Sequence, residues 1–283
     1  FTVDRLGLAI MDEQHKFGVA QRERLVRKGH YPHVLVMTAT PIPRTLGLTL
    51  YGDLDLSVID QLPAGRGRLR TFVRGIEQVV KVQAFMKQQL AAGRQAYVVY
   101  PRAEEADTVA GIKAVTQEFD RLRTAFAPHT VELLHGRLRT VEKERVMAAF
   151  RAKQEEVLGA TSIIEVGVDV SNATVMLIEN AEQFGLAQLH QLRGRIGRGT
   201  HESYCILVAR LKTPEARERL RVMEQTNDGF RLAEADLKLR GPGELLGQEQ
   251  SGLPSFRFGD LANDLALIER ARALARTVLE RSL

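Results

Sequence analysis

The sequence has no tryptophan and one cysteine, Cys205, in 283 residues. A lone thiol closes neither an internal disulfide nor a zinc cluster, so the fold stands on its apolar core and a reducing compartment fits. No apolar run approaches the roughly 20 residues of a membrane-spanning helix. Asp4 and Arg5 bring charge too early for a secretory leader. Phe1 stands where a start methionine would, which reads as a processed chain or a piece of something longer. Nowhere is there a Gly-x4-Gly-Lys-[Ser/Thr] loop, whose backbone N–H groups cradle nucleotide phosphates.

What is present is ordinary for a globular chain. Hydrophobic residues make up 44% and charged ones 27%, which excludes a disordered or collagen-like polymer. The length allows about two domains. A net charge of +5 is weak evidence for nucleic acid. The basic residues are 31 Arg and 9 Lys, a bias that suits bidentate phosphate contacts, although codon usage explains the excess equally well.

Short apolar runs alternate with amphipathic stretches up to Ala209. Strands are expected at Leu6–Met11, His33–Met37, Leu69–Arg74, Gln95–Tyr100, Val131–Leu134, Glu156–Gly159, Thr174–Glu179 and Ser203–Ala209. Helices are expected at Ile76–Ala92, Val141–Ala152, Leu186–Arg195, Pro214–Gln225 and about Leu261–Leu279. The alternation predicts an α/β fold, a parallel sheet with flanking helices. Active loops of such sheets lie at the carboxyl ends of the strands, where the distinctive sequences here are expected. Leu62-Pro-Ala-Gly-Arg-Gly-Arg68 reads as a linker or domain junction.

Four of those sequences carry chemistry. Leu8-Ala-Ile-Met-Asp12-Glu13-Gln14-His15 delivers two acids at a strand end. In a nucleotide hydrolase one acid can hold Mg²⁺ through water and the other can orient the attacking water, though a solvated acidic turn looks the same. Val34-Leu-Val-Met-Thr38-Ala39-Thr40-Pro41 ends a strand in two hydroxyls, which also reads as a helix cap. Thr161-Ser-Ile-Ile-Glu165-Val-Gly167-Val-Asp169 is the third. In Gln191-Leu-Arg193-Gly-Arg195-Ile-Gly197-Arg198 two arginines three apart are expected on a helix face or its end. Glycines beside them would admit a phosphate, and a cation pair there can stabilise phosphoryl transfer. Arg193 reads equally as a surface arginine.

Their order resembles motifs II, III, V and VI of superfamily 2 helicases. Asp12-Glu-Gln-His-Lys-Phe-Gly-Val19 and Thr38-Ala-Thr-Pro-Ile-Pro-Arg-Thr-Leu46 look like the RecG branch-migration helicases. His15 favours them over the transcription-repair coupling factors, which usually carry Asp-Glu-Glu-Gln. Asp228-Gly-Phe-Arg-Leu-Ala-Glu through Arg240-Gly-Pro-Gly-Glu244 to Gln250-Ser-Gly252 resembles the translocation segment that both families share.

The resemblance implies three parts: residues 1–62 as the C-terminal half of a first RecA-like domain, 63–209 as a second, and 210–283 as a helical translocation segment. It also implies ATP and Mg²⁺, with Asp12 positioning the metal, Glu13 activating water, and Arg195 and Arg198 reaching the γ-phosphate. Gln191 and Asp169 would couple nucleotide state to closure. His15, Thr38, Thr40, Arg240 and Gln250 would serve coupling and translocation. Arg102, Arg137, Arg139 and Thr161 would face DNA. Branched DNA (forks and Holliday junctions) is the implied substrate, with a single-stranded DNA-binding protein as a further candidate partner. A monomeric, cytoplasmic bacterial protein without membrane contact is implied as well. Without the phosphate-cradling loop, the 283 residues alone are expected not to hydrolyse ATP. The half-domain at 1–62 is expected to be cut first by protease, since its sheet lacks covering strands.

Overall fold

A computed structural model describes residues 6–12, 32–39, 55, 57–59, 61, 63–101, 109–161, 170–240 and 264–282, with backbone alone for residues 109–116, 240, 265, 268, 269, 276 and 282. Strands β1 (Leu8–Asp12) and β2 (His33–Met37) pair in parallel. Leu8, Ile10, Val34, Leu35 and Met37 are exposed on this pair.

The second sheet has six parallel strands: β3 (Leu69–Gly75), β4 (Gln95–Tyr100), β5 (Val131–Leu134), β6 (Val157–Thr161), β7 (Ala173–Ile178) and β8 (Ser203–Ala209). Their spatial order is β3-β8-β7-β4-β6-β5. The central strands β4 and β7 are apolar almost throughout because helices cover both faces. Between the strands run α1 (Val79–Ala91), α2 (Val109–Phe126), α3 (Thr140–Arg151) and α4 (Leu186–Arg193), followed by α5 (Pro214–Gln225), α6 (Gly229–Arg240) and α7 (Leu265–Ser282).

Alternate strand residues divide the core into two layers. Ala96, Val98, Val175, Leu177, Ile206 and Val208 meet Val82 and Met86 of α1 and Leu122 and Phe126 of α2. On the other face Tyr97, Met176, Ile178 and Leu207 meet Phe150 of α3, Leu189 of α4, Leu220 of α5 and Leu232 of α6. Helices α5 and α6 thus close the same core as the sheet. Thr213 caps α5 by accepting the Ala216 N–H at 3.2 Å, with Pro214 at the first helical position. Asp228 Oδ1 accepts the Phe230 N–H at 2.9 Å at the start of α6.

The expected strands at His33–Met37, Gln95–Tyr100, Val131–Leu134 and Ser203–Ala209 and the helix at Pro214–Gln225 have the observed bounds. Helix α2 and the helical form of 229–240 are additions. At Gly159 an added Cβ would stand 2.9 Å from Leu122 Cδ2, so α2 seats closely on β6 there.

Candidate functional site

Two opposite edges of the six-stranded sheet carry the expected groups. At the carboxyl edge, Thr161 ends β6 in register with Tyr100 of β4. Beside them the turn after β5 brings exposed Arg137 and Arg139 to solvent. Glu142 fixes this turn: its carboxylate accepts from the Arg139 N–H at 2.9 Å and from Arg139 Nη2 at 3.2 Å. Lys143 Nζ donates to Gly136 O at 3.0 Å, adding a third cation. Burial, then Arg137 and Lys143, lowers the pKa of His135 and favours its neutral form. Nearby, burial and then Glu118 hold the Glu179 carboxyl above the ordinary carboxylate range.

The motif around Arg195 and Arg198 lies at the opposite, amino edge, which corrects the expectation that every distinctive sequence ends a strand. Helix α4 starts from the carboxyl end of β7 and runs back across the sheet, as a parallel crossover must. It ends at Arg193 rather than Arg195, so the two arginines sit in the following turn and not on a helix face. There Gly67 N–H donates to Gly199 O at 2.9 Å, and Ser203 N–H donates to Arg68 O at 2.8 Å. Gly197 has φ +74° and is packed near Leu69 and Ser203, so its left-handed backbone explains that glycine, where the sequence suggested phosphate access. Arg195, Arg198 and Gln191 are half-buried. Arg198 Nε donates to Gly194 O at 3.3 Å.

Arg193 is no surface arginine. It is 1% exposed. Its Nη1 donates to Met223 O and Thr226 O at 2.9 Å and reaches Thr71 Oγ1 at 3.3 Å. Its Nη2 lies 3.1 Å from His190 Nδ1. The guanidinium therefore neutralises carbonyls at the C-terminal end of α5, where a helix leaves acceptors unpaired and negative. One side chain joins α4, β3 and the α5–α6 junction. The sequence held a signal for this: Leu186, Leu189 and Arg193 share one stripe of α4, and the leucines are core residues.

Burial, then Arg193, pushes His190 down to about 4. Neutral imidazole can accept the Arg193 proton at Nδ1; imidazolium cannot. A folded pKa below the ordinary value of 6.5 means that this contribution is complete above pH 6.5 and is lost as pH falls toward 4. The loss is on the order of 3 kcal/mol. Urea unfolding at pH 7 and pH 4.5 should show it, and His190→Gln should flatten the slope. An equal slope in both proteins would count against the assignment.

Asp12 ends β1 opposite Met37, the residue before Thr38, so the two parallel strands bring both expected side chains to one end of their sheet. Glu13, His15, Thr40, Arg102, Asp169 and Gln250 lie outside the described residues, as does the Arg240 side chain; the Arg240 backbone ends α6.

Residues 78–200 match the family described as helicase conserved C-terminal domain. Residues 226–282 match ATP-dependent DNA helicase RecG, domain 3, C-terminal. The chain is 54% identical over 276 residues to the ATP-dependent DNA helicase RecG of Synechocystis, covering 97% of this chain and 33% of that protein. Identity to the Bacillus subtilis RecG is 48% over 268 residues, covering 94% and 39%. A solved structure of RecG bound to a three-way DNA junction superposes with a TM-score of 0.72 at 45% identity, over 94% of this chain and 34% of that one. The chain thus spans about a third to two fifths of the length of these curated relatives.

Proposed function

The chain belongs to the RecG family of DNA helicases, and on that premise we propose that it is part of an ATP-driven translocase that remodels branched DNA. The observation that carries the reading is the division of one sheet. Arg195 and Arg198 stand at its amino edge, and the basic turn with Arg137 and Arg139 stands near Thr161 at its carboxyl edge. A nucleotide on one edge and a DNA backbone on the other would be joined by strands only four to seven residues long.

In this reading Arg195 and Arg198 meet the γ-phosphate and Gln191 helps couple nucleotide state to closure. Asp12 presents an exposed carboxylate, the hard oxygen donor that Mg²⁺ prefers. Mg²⁺ in such a site keeps most of its water and shares phosphate oxygens. Bound with ATP, magnesium would neutralise charge on the phosphates. Glu13 would orient water, and Thr38 and Thr40 would relate the acid strand to DNA. Asp169 would couple nucleotide state to closure. Arg240 and Gln250 would convert closure into steps along duplex DNA, driving fork regression or junction migration. Residues 63–209 would act as the second RecA-like unit and 210–283 as the translocation segment.

The second reading concerns the 283 residues by themselves, as a DNA-binding unit without turnover. Arg137, Arg139 and Thr161 supply contacts that read no bases. With forked DNA this chain is expected to show no ATP hydrolysis, while binding DNA with an affinity that falls as salt rises. Replacing Arg137 and Arg139 by Ala should reduce the slope of log K against log salt by roughly 0.9 per lost phosphate contact. Turnover by the chain alone, or an unchanged salt slope, would overturn the respective assignment.

A further inference from the structure

The turn that carries Arg195 and Arg198 is gripped from two sides by backbone. On one side an added Cβ at Gly67 would meet His201 O at 2.0 Å, His201 C at 2.4 Å and Thr200 C at 2.9 Å. These are main-chain atoms, so no side chain can move aside. The Gly67 N–H also donates to Gly199 O at 2.9 Å. On the other side an added Cβ at Gly199 would stand 2.7 Å from Ser171 O, two residues beyond Asp169 in sequence. In the same turn Ile196 is buried, at 2% exposure. Gly67 has no left-handed φ; what requires glycine there is space alone.

We propose that Gly67 is a positioning residue: it docks the stretch 63–68 onto the arginine turn and so sets where the Arg195 and Arg198 guanidiniums stand. The inference rests on the nucleotide role proposed for those two arginines. Its physical basis is the short reach of the contact. A Cβ cannot lie 2.0 Å from a carbonyl oxygen, so any L side chain at 67 must part the strand of residues 63–68 from residues 199–201. Phosphoryl transfer tolerates little misplacement of a stabilising cation; an error of about 1 Å can cost on the order of 100-fold in rate. The same contact ties the approach to β3 to the turn, so a displacement of the arginines is passed to the junction preceding the six-stranded sheet.

The test uses the full-length protein that carries this chain. Gly67→Ala is expected to lower kcat for DNA-stimulated ATP hydrolysis on the order of 100-fold and to leave the KM for ATP within a factor of about three, with a melting temperature close to the parent's. Gly65→Ala is the comparison. Gly65 has φ +82° with nothing within 4 Å, so that variant strains the same stretch without touching the turn, and it should keep most of the parental kcat. Equal losses in the two variants would overturn docking in favour of general linker stiffness. A kcat that falls only in proportion to the folded fraction would overturn it in favour of stability alone. Should Gly67→Ala fail to fold, hydrogen exchange decides. The Gly67 amide should exchange more slowly when a non-hydrolysable ATP analogue is added to the unsubstituted protein, and this change should vanish in Arg198→Ala. Unchanged exchange in the unsubstituted protein would sink the proposal. Normal ATP turnover in Arg198→Ala is a separate result, and it would instead remove the nucleotide reading beneath it.

Discussion

Arg198→Ala in the full-length protein should abolish DNA-stimulated ATP hydrolysis, with a fall in kcat of about 10³ to 10⁵. The expectation follows from three features. The side chain stands in a turn fixed by backbone contacts at Gly67 and Gly199. Its Nε is held on Gly194 O at 3.3 Å. A cation brought to a phosphate without reorganisation contributes most in the transition state, where charge is redistributed over the transferred group. Binding of forked DNA should stay within about threefold of the parent, because Arg137, Arg139 and Thr161 lie on the opposite edge of the sheet. Steady-state hydrolysis with and without forked DNA, paired with a binding isotherm, separates the outcomes. Parental turnover would refute the role, and loss of both activities together would indicate misfolding.

Arg193→Met should produce a large loss of stability. Methionine fills similar space but leaves Met223 O and Thr226 O without their donor, and each buried unsatisfied polar group costs about 1–3 kcal/mol. The sum is a large share of a typical domain stability of about 5–15 kcal/mol. The melting temperature should fall on the order of 10 °C. Arg193→Lys should fall between the two, since one ammonium cannot reach Thr71, the α5 carbonyls and His190 together. Thermal unfolding followed by circular dichroism measures both. A shift under 2 °C for Arg193→Met, within about 1 kcal/mol, would mean that water replaces the guanidinium at little cost.

How far the sequence reached differs by element. Strands β4, β7 and β8 were legible because strands covered on both faces are nearly uninterrupted apolar runs. Thr161, Arg137 and Arg139 fall at strand ends in the sequence and in the structure alike. The edge that bears Arg195 and Arg198 was not legible, because motif spacing does not reveal on which side of the sheet a returning helix releases the chain. Three partners of Arg193 lie 122, 30 and 33 residues away, beyond any local pattern, although its place on the leucine stripe of α4 hinted at burial. The depressed pKa of His190 is a property of that buried setting and has no signature in the residue itself. Gly67 belonged to a stretch that read as a linker; only the backbone of residues 199–201 shows what it accommodates.

The strand order has a consequence for synthesis on the ribosome. Among the described residues β3 has a single partner, β8, with Leu69 opposite Ser203, so its mate emerges 134 residues later. At roughly 5–20 residues per second, β3 waits on the order of 10 s before its hydrogen bonds can form. During that wait β4, β6 and β7 can already associate, since β4 pairs with both of the others. The pairing thus allows the nascent six-stranded sheet to start from β4, while β3, its first strand in sequence, cannot pair until β8 has emerged. The arrival of β8 closes the Arg68–Ser203 contact and the β3 edge in one event, so a ribosome stalled before Ser203 would leave β3 without its mate.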